Sequence, residues 1–127
     1  MTTELTVELF RPVGQKELDL IRDLEWRGFP PRLFWQPIFY PVLTADYAIK
    51  IARDWNTKDQ NSGFVGYVLR FRVRKAYLDD YQPHEAGGRE LQEYWVPAED
   101  LTEFNGNIVG EIEVIHEFRL EPGPNGS

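Results

Sequence analysis

Polar and apolar residues alternate with a period of two along LTVELFR (5–11), with Val7, Leu9 and Arg11 on one side and Thr6, Glu8 and Phe10 on the other. This predicts a first strand, ended by Pro12 and Gly14. The period then changes. Leu18, Ile21 and Leu24 recur at helical spacing, with Leu20 beside them. They predict one amphipathic helix over 15–25, ending near Trp26–Gly28. Phe29-Pro30-Pro31-Arg32 must run extended, because each proline pushes the residue before it out of the helical region. A short strand over 38–43 follows. Pro41 has no N–H, so this strand is expected at a sheet edge or broken at the proline. Thr44 is placed to cap a second helix, with Asp46 where the helix dipole favours an anion. Tyr47, Ala48, Ile51, Ala52 and Trp55 form the apolar stripe of that helix.

After a turn-rich loop from Asn56 to Gly63, residues 64–74 give the clearest strand. Val65, Tyr67, Leu69, Phe71 and Val73 share one face, and Phe64, Gly66, Val68, Arg70, Arg72 and Arg74 the other. A helical turn over 76–81 and a flexible loop over 82–90, with His84 and Gly87-Gly88, lead to a strand over 91–96. Pro97 fits the first position of a short helix carrying Leu101 and Phe104, stopped by Asn105-Gly106-Asn107. The last strand spans 108–119, with Ile112, Val114, His116 and Phe118 on one face. Short strands with two long helices placed early predict an α+β fold. The expectation is a single globular domain over 1–120 with a split, antiparallel-rich mixed sheet, and a flexible Pro/Gly-rich tail over 121–127.

Composition narrows the chemistry. With 127 residues, 42% of them apolar, the chain can bury a core. Its formal charge of −7 repels phosphate backbones and acidic bilayers, so neither nucleic acid nor a membrane is expected as a partner. The absence of cysteine removes disulfides, thiolate catalysis and Cys-type zinc sites. The N-terminus has no basic segment followed by a long apolar one, so a soluble, cytoplasmic protein not exported by the Sec route is expected. His84 and His116 stand far apart, so no metal is expected. His116 reads as a structural histidine on an apolar face and His84 as a loop residue. The only serines, Ser62 and Ser127, lack a nucleophile elbow, and no glycine-rich phosphate loop follows a strand. The Glu111/Glu113 pair and the Arg70/Arg72/Arg74 row read as solvated strand faces. Trp35, in a proline-flanked loop, is the best candidate for an exposed stacking surface.

Four stretches occur in a telling order: LFRPV (9–13), IFYPV (38–42) running into TADYAIKIA (44–52), GFVGYVLRFRV (63–73), and EYWVPAEDL (93–101) before a last apolar strand. This order resembles that of small bacterial ADP-ribosyltransferase-like domains, including short proteins labelled as of ADP-ribosylation/crystallin type, over roughly residues 9–118. The resemblance implies the ADP-ribosyltransferase fold and NAD as the bound substrate, cleaved by ADP-ribose transfer or by hydrolysis. It implies that Arg11 holds the NAD ribose or phosphate, and that Tyr40, or its neighbour Phe39, lines the nicotinamide pocket. Glu93 would stabilise the positive charge developing at the ribose C1′. A rival reading keeps the scaffold and drops the chemistry: a catalytically inactive immunity or regulatory module with a protein partner. Pro41 standing where the family keeps a hydroxyl, and Leu-Gln-Glu at 91–93 instead of a Glu-x-Glu pair, favour that rival.

Overall fold

A computed structural model describes residues 5–33, 35–85 and 92–120. The chain runs β1 (Thr6–Val13), α1 (Gln15–Asp23), β2 (Ile38–Phe39), α2 (Ala45–Asp54), two 3-10 turns (Asn56–Lys58 and Gln60–Ser62) and β3 (Val65–Arg74). It continues through α3 (Lys75–Leu78), β4 (His84–Glu85), β5 (Gln92–Glu93), β6 (Val96–Pro97), a 3-10 turn (Ala98–Asp100), α4 (Leu101–Gly106) and β7 (Ile108–Arg119). This is a small α+β arrangement. All strand pairings among the described residues are antiparallel, where a split, antiparallel-rich mixed sheet was expected. The expected Gly87-Gly88 loop and the tail 121–127 lie outside the described residues.

The apolar strand β3 takes the centre of a three-stranded sheet, with β1 on one side and β7 on the other. β1 continues through Pro12, which pairs with Val68, instead of ending there. The reason is the two-residue alternation of the backbone. Phe10 turns its N–H and C=O away from β3, toward Val42, and Pro12 lies on that same outer side, so no β1–β3 bond is lost.

The two faces of β3 are buried in different ways. Val65, Tyr67, Leu69, Phe71 and Val73 join the larger core with Leu9, Val13, Ile21, Phe29, Phe39, Val96 and Phe104. Four phenylalanines interlock there: Phe29 against Phe39 and Phe71 at 4.8 and 4.9 Å, and Phe39 against Phe104 at 5.3 Å between centroids. On the opposite face Val68 packs with Phe10, Val42, Ala48 and Ala52 in a smaller cluster. Helix α2 comes this close because the facing residues are small. A Cβ built on Gly66 would collide with the Ala52 carbonyl.

Two side-chain expectations fail. Trp55 is 71% exposed instead of lining the α2 stripe. It sits at the C-cap, past the last residue of α2, with a φ of −114° that is off the regular helical value. His116 is exposed, not a core histidine. The β3–β7 register shifts between Val68, which pairs with His116, and Leu69, which pairs with Val114, and this shift breaks the alternation that grouped Ile112 and Val114 with His116 and Phe118. The exposed face of Arg72 and the Arg70–Glu113 pair at 2.8 Å agree with solvated faces.

Two predictions follow from this packing. Gly66→Ala forces α2 off β3 and lowers unfolding free energy by about 2 kcal/mol, checked by urea denaturation. The second concerns pH. The Tyr77 hydroxyl lies 3.0 Å from that of Tyr81, which donates to Asp100 at 3.1 Å. Burial first, then the Tyr81 hydrogen bond, holds the Tyr77 phenol well above its ordinary value. The unfolded chain therefore ionises near pH 10 while the folded one keeps the proton, so stability is complete below that pH and falls as pH rises beyond it. Tyr77→Phe should flatten the decline of melting temperature measured between roughly pH 9 and 11.

Candidate functional site

The segment 37–43 builds the site by pairing on both of its sides. Phe10 and Val42 exchange two backbone hydrogen bonds, 2.9 and 2.8 Å, which tie the segment to β1. On its other side it runs antiparallel to 92–98: Leu43 N–H donates to Gln92, Tyr94 N–H to Pro41 and Ala98 N–H to Pro37. Val42 thus bridges both Phe10 and Glu93. The segment is broken at the proline as expected, but it is interior and not an edge. Pro41 and Pro37 each stand where a residue would donate one more ladder bond, and proline supplies only the acceptor. The regular pairing accordingly shrinks to β2–β6 and isolated bridges.

This pairing brings Arg11, Tyr40 and Glu93 onto one pocket of about 390 Å³, with Pro12, Val42, Ile51 and Trp95 completing its lining. Tyr40 is 40% exposed and its ring meets Trp95 edge-on, at 6.1 Å and 87°. Glu93 is held from two directions: Tyr47 donates its hydroxyl to Oε2 at 3.3 Å, and Trp95 donates its indole N–H to Oε1 at 3.0 Å. Burial, then the Glu93 carboxylate beside it, raises the Tyr47 phenol above its ordinary value, so Tyr47 stays a hydrogen-bond donor at neutral pH.

Arg11 is 8% exposed, buried far more deeply than a strand-end surface cation. Glu17, in the first turn of α1, holds it through Nε at 2.6 Å and Nη2 at 3.0 Å. Nη1 donates to the Tyr40 carbonyl at 3.4 Å, and the guanidinium lies 4.6 Å from the Phe39 ring centroid. Phe39, expected beside Tyr40 at the ligand, is corrected by this geometry. It is fully buried in the aromatic core and supports Arg11 from beneath. The strand alternation explains the difference, since adjacent residues point to opposite sides.

A second hollow, of about 840 Å³, adjoins the first across Arg11 and Pro12, which line both. Its walls come from the start of α1, the 30–36 loop and the 3-10 turn at 60–62. Gly14 lets α1 start against that turn, since a Cβ there would lie 2.6 Å from Ser62 Cα. Trp35, 63% exposed, stands at its border. Among the described residues no group of three or more His, Asp or Glu is gathered to hold a metal ion, and no helix is long and apolar enough to cross a membrane.

Sequence reading missed Glu17, Arg32, Tyr47 and Trp95. Trp95 carried a signal, because it lies two residues from Glu93 and so on the same side of an extended chain. Glu17 carried a weaker one, as the acidic first-turn residue of the helix that follows Arg11's strand. Arg32 and Tyr47 had no local signal.

Removing one partner of the Arg11–Glu17 pair strands the other charge in a mostly buried place. Glu17→Gln and Arg11→Gln should each lower stability by about 2 kcal/mol, and the double variant should cost clearly less than their sum, as read in a double-mutant cycle of urea unfolding. Comparison of the chain with protein-family models, with curated proteins and with solved structures gives no match.

Proposed function

We propose that the chain is an ADP-ribosyltransferase-like protein that binds NAD in the Arg11–Tyr40–Glu93 pocket and transfers ADP-ribose or hydrolyses NAD. One observation carries the reading. Three residues separated by as many as 82 positions, singled out by the order of sequence motifs, line one hollow of about 390 Å³. That size suits part of a small ligand. In this reading the nicotinamide ring lies against Tyr40 and Trp95, and Arg11 faces ribose or phosphate oxygens. As the glycosidic C1′–N bond breaks, nicotinamide departs with the bonding electron pair and positive charge develops at C1′. The Glu93 carboxylate, fixed by Tyr47 and Trp95, faces that charge. Water or an acceptor nucleophile then bonds to C1′ and loses a proton.

One observation favours the rival, an inactive protein-binding module. Arg11 is already bidentate with Glu17, so a ligand oxyanion must share or displace that carboxylate. Calorimetric titration separates the two. The enzyme reading expects saturable NAD binding at or below roughly millimolar concentration. It expects Glu93→Gln to cut turnover by about 10²-fold or more while the melting temperature stays within about 2 °C. Heat of binding absent at that concentration, together with a stoichiometric protein partner recovered by pull-down, would replace it with the interaction module.

A further inference from the structure

Arg11 is not the only guanidinium at this place. Arg32, from the loop between α1 and β2, also reaches the Phe39 ring, 5.8 Å from its centroid against 4.6 Å for Arg11. Both line the larger hollow. Their situations differ. Arg11 has Glu17, whereas Arg32 makes no ion pair among the described residues. Among the described residues Arg32 donates once, from Nη2 to the Ile38 carbonyl at 3.2 Å, and its buried Nε has no hydrogen-bond partner. Burial and the neighbouring Arg11 charge push its guanidinium below the ordinary arginine range, with Glu17 only partly offsetting them. Two guanidiniums thus stand together with one carboxylate, Glu17, paired to Arg11 alone, in a chain whose overall charge is −7. The other carboxylate on the hollow, Asp59, is engaged within its own turn by the Asn61 N–H at 3.0 Å and the Ser62 hydroxyl at 2.9 Å.

We infer that the larger hollow is an anion site in which Arg32, with Arg11 beside it, binds the phosphate oxygens of a soluble phosphorylated ligand. A planar guanidinium that makes one protein hydrogen bond among the described residues, through Nη2, keeps further N–H donors in the fork geometry that matches two oxygens of one phosphate. An isolated carboxylate would satisfy the fork but leave most of a hollow of about 840 Å³ unfilled, and Trp35 at its border offers an apolar surface to the rest of a larger molecule. This goes beyond the NAD reading. It needs neither Glu93 nor a nicotinamide, and it adds Arg32 as a binding residue.

Pyrophosphate is the probe, titrated calorimetrically into the whole chain, with Arg32→Gln as the test and Arg72→Gln, an exposed cation elsewhere on β3, as the control for net charge. The expected result is saturable binding by wild type and Arg72→Gln, weakened at least tenfold in Arg32→Gln. No binding by wild type, or equal losses in both variants, overturns the inference. Should Arg32→Gln fail to fold, the wild-type Arg32 Nε–H resonance, assigned by its disappearance in Arg32→Lys, must shift on adding pyrophosphate. An unmoved resonance overturns the inference as well. Pyrophosphate binding without NAD binding would uphold this site and reject the NAD reading alone.

Discussion

The hydrogen-bonded pair of Phe10 and Val42 is the contact on which the arrangement depends. Those two bonds join the three-stranded sheet to the 37–43 segment, which is joined in turn to 92–98. Without them Arg11 would belong to one unit, and Tyr40, Glu93 and Trp95 to another. The pair is protected on both sides. Phe10 and Val42 are themselves buried, in the cluster formed with Ala48, Ala52 and Val68 under α2. Burial makes an unpaired backbone group costly there, so the packing of α2 enforces the pairing that shapes the pocket on the other elements.

The same segment carries two prolines at positions where each removes a donor from the ladder. This weakens regular sheet structure and leaves the chain free to turn its side chains outward between bridges. Tyr40 is the residue so exposed, directly after the fully buried Phe39 and before the buried Pro41. Thr44 then ends the segment by accepting the Tyr47 N–H at 3.2 Å, and the first turn it fixes delivers the Tyr47 hydroxyl to Glu93. A helix cap and a site hydrogen bond are thus parts of one local arrangement.

Electrostatics set the character of the two hollows. Arg11 stands where they meet, clamped by Glu17 and resting on Phe39, and Arg32 adds a second positive charge over that ring. A guanidinium tolerates this position because its plane stacks on a ring while its edge keeps N–H donors for oxygens. Glu93, by contrast, is held at a fixed orientation by two donors from different elements. The smaller hollow therefore sets Glu93 and two aromatic rings opposite Arg11, while the larger gathers Arg11, Lys16 and Arg32 with Glu17 and Asp59.

The sequence by itself determined the elements with strong local causes. The alternation of Val65 to Val73, the Thr44 cap, the α2 stripe at Ala48 and Ala52 and the span of β7 are all present in the structure. Each rests on a period or a cap that neighbouring residues decide. Arg11, Tyr40 and Glu93 were singled out by the resemblance in motif order, not by any local period or cap. Tertiary structure alone decided the rest. The interior placement of Pro41, the burial of Phe39 and the exposure of His116 depend on which strand pairs with which and where the register shifts. Glu17 became part of the site only through its hydrogen bonds to Arg11, and Arg32 only by reaching the Phe39 ring, 7 positions along the chain, that Arg11 also covers. Long-range pairing leaves no trace in local periodicity, since its energy comes from residues that are neighbours only after the chain has folded.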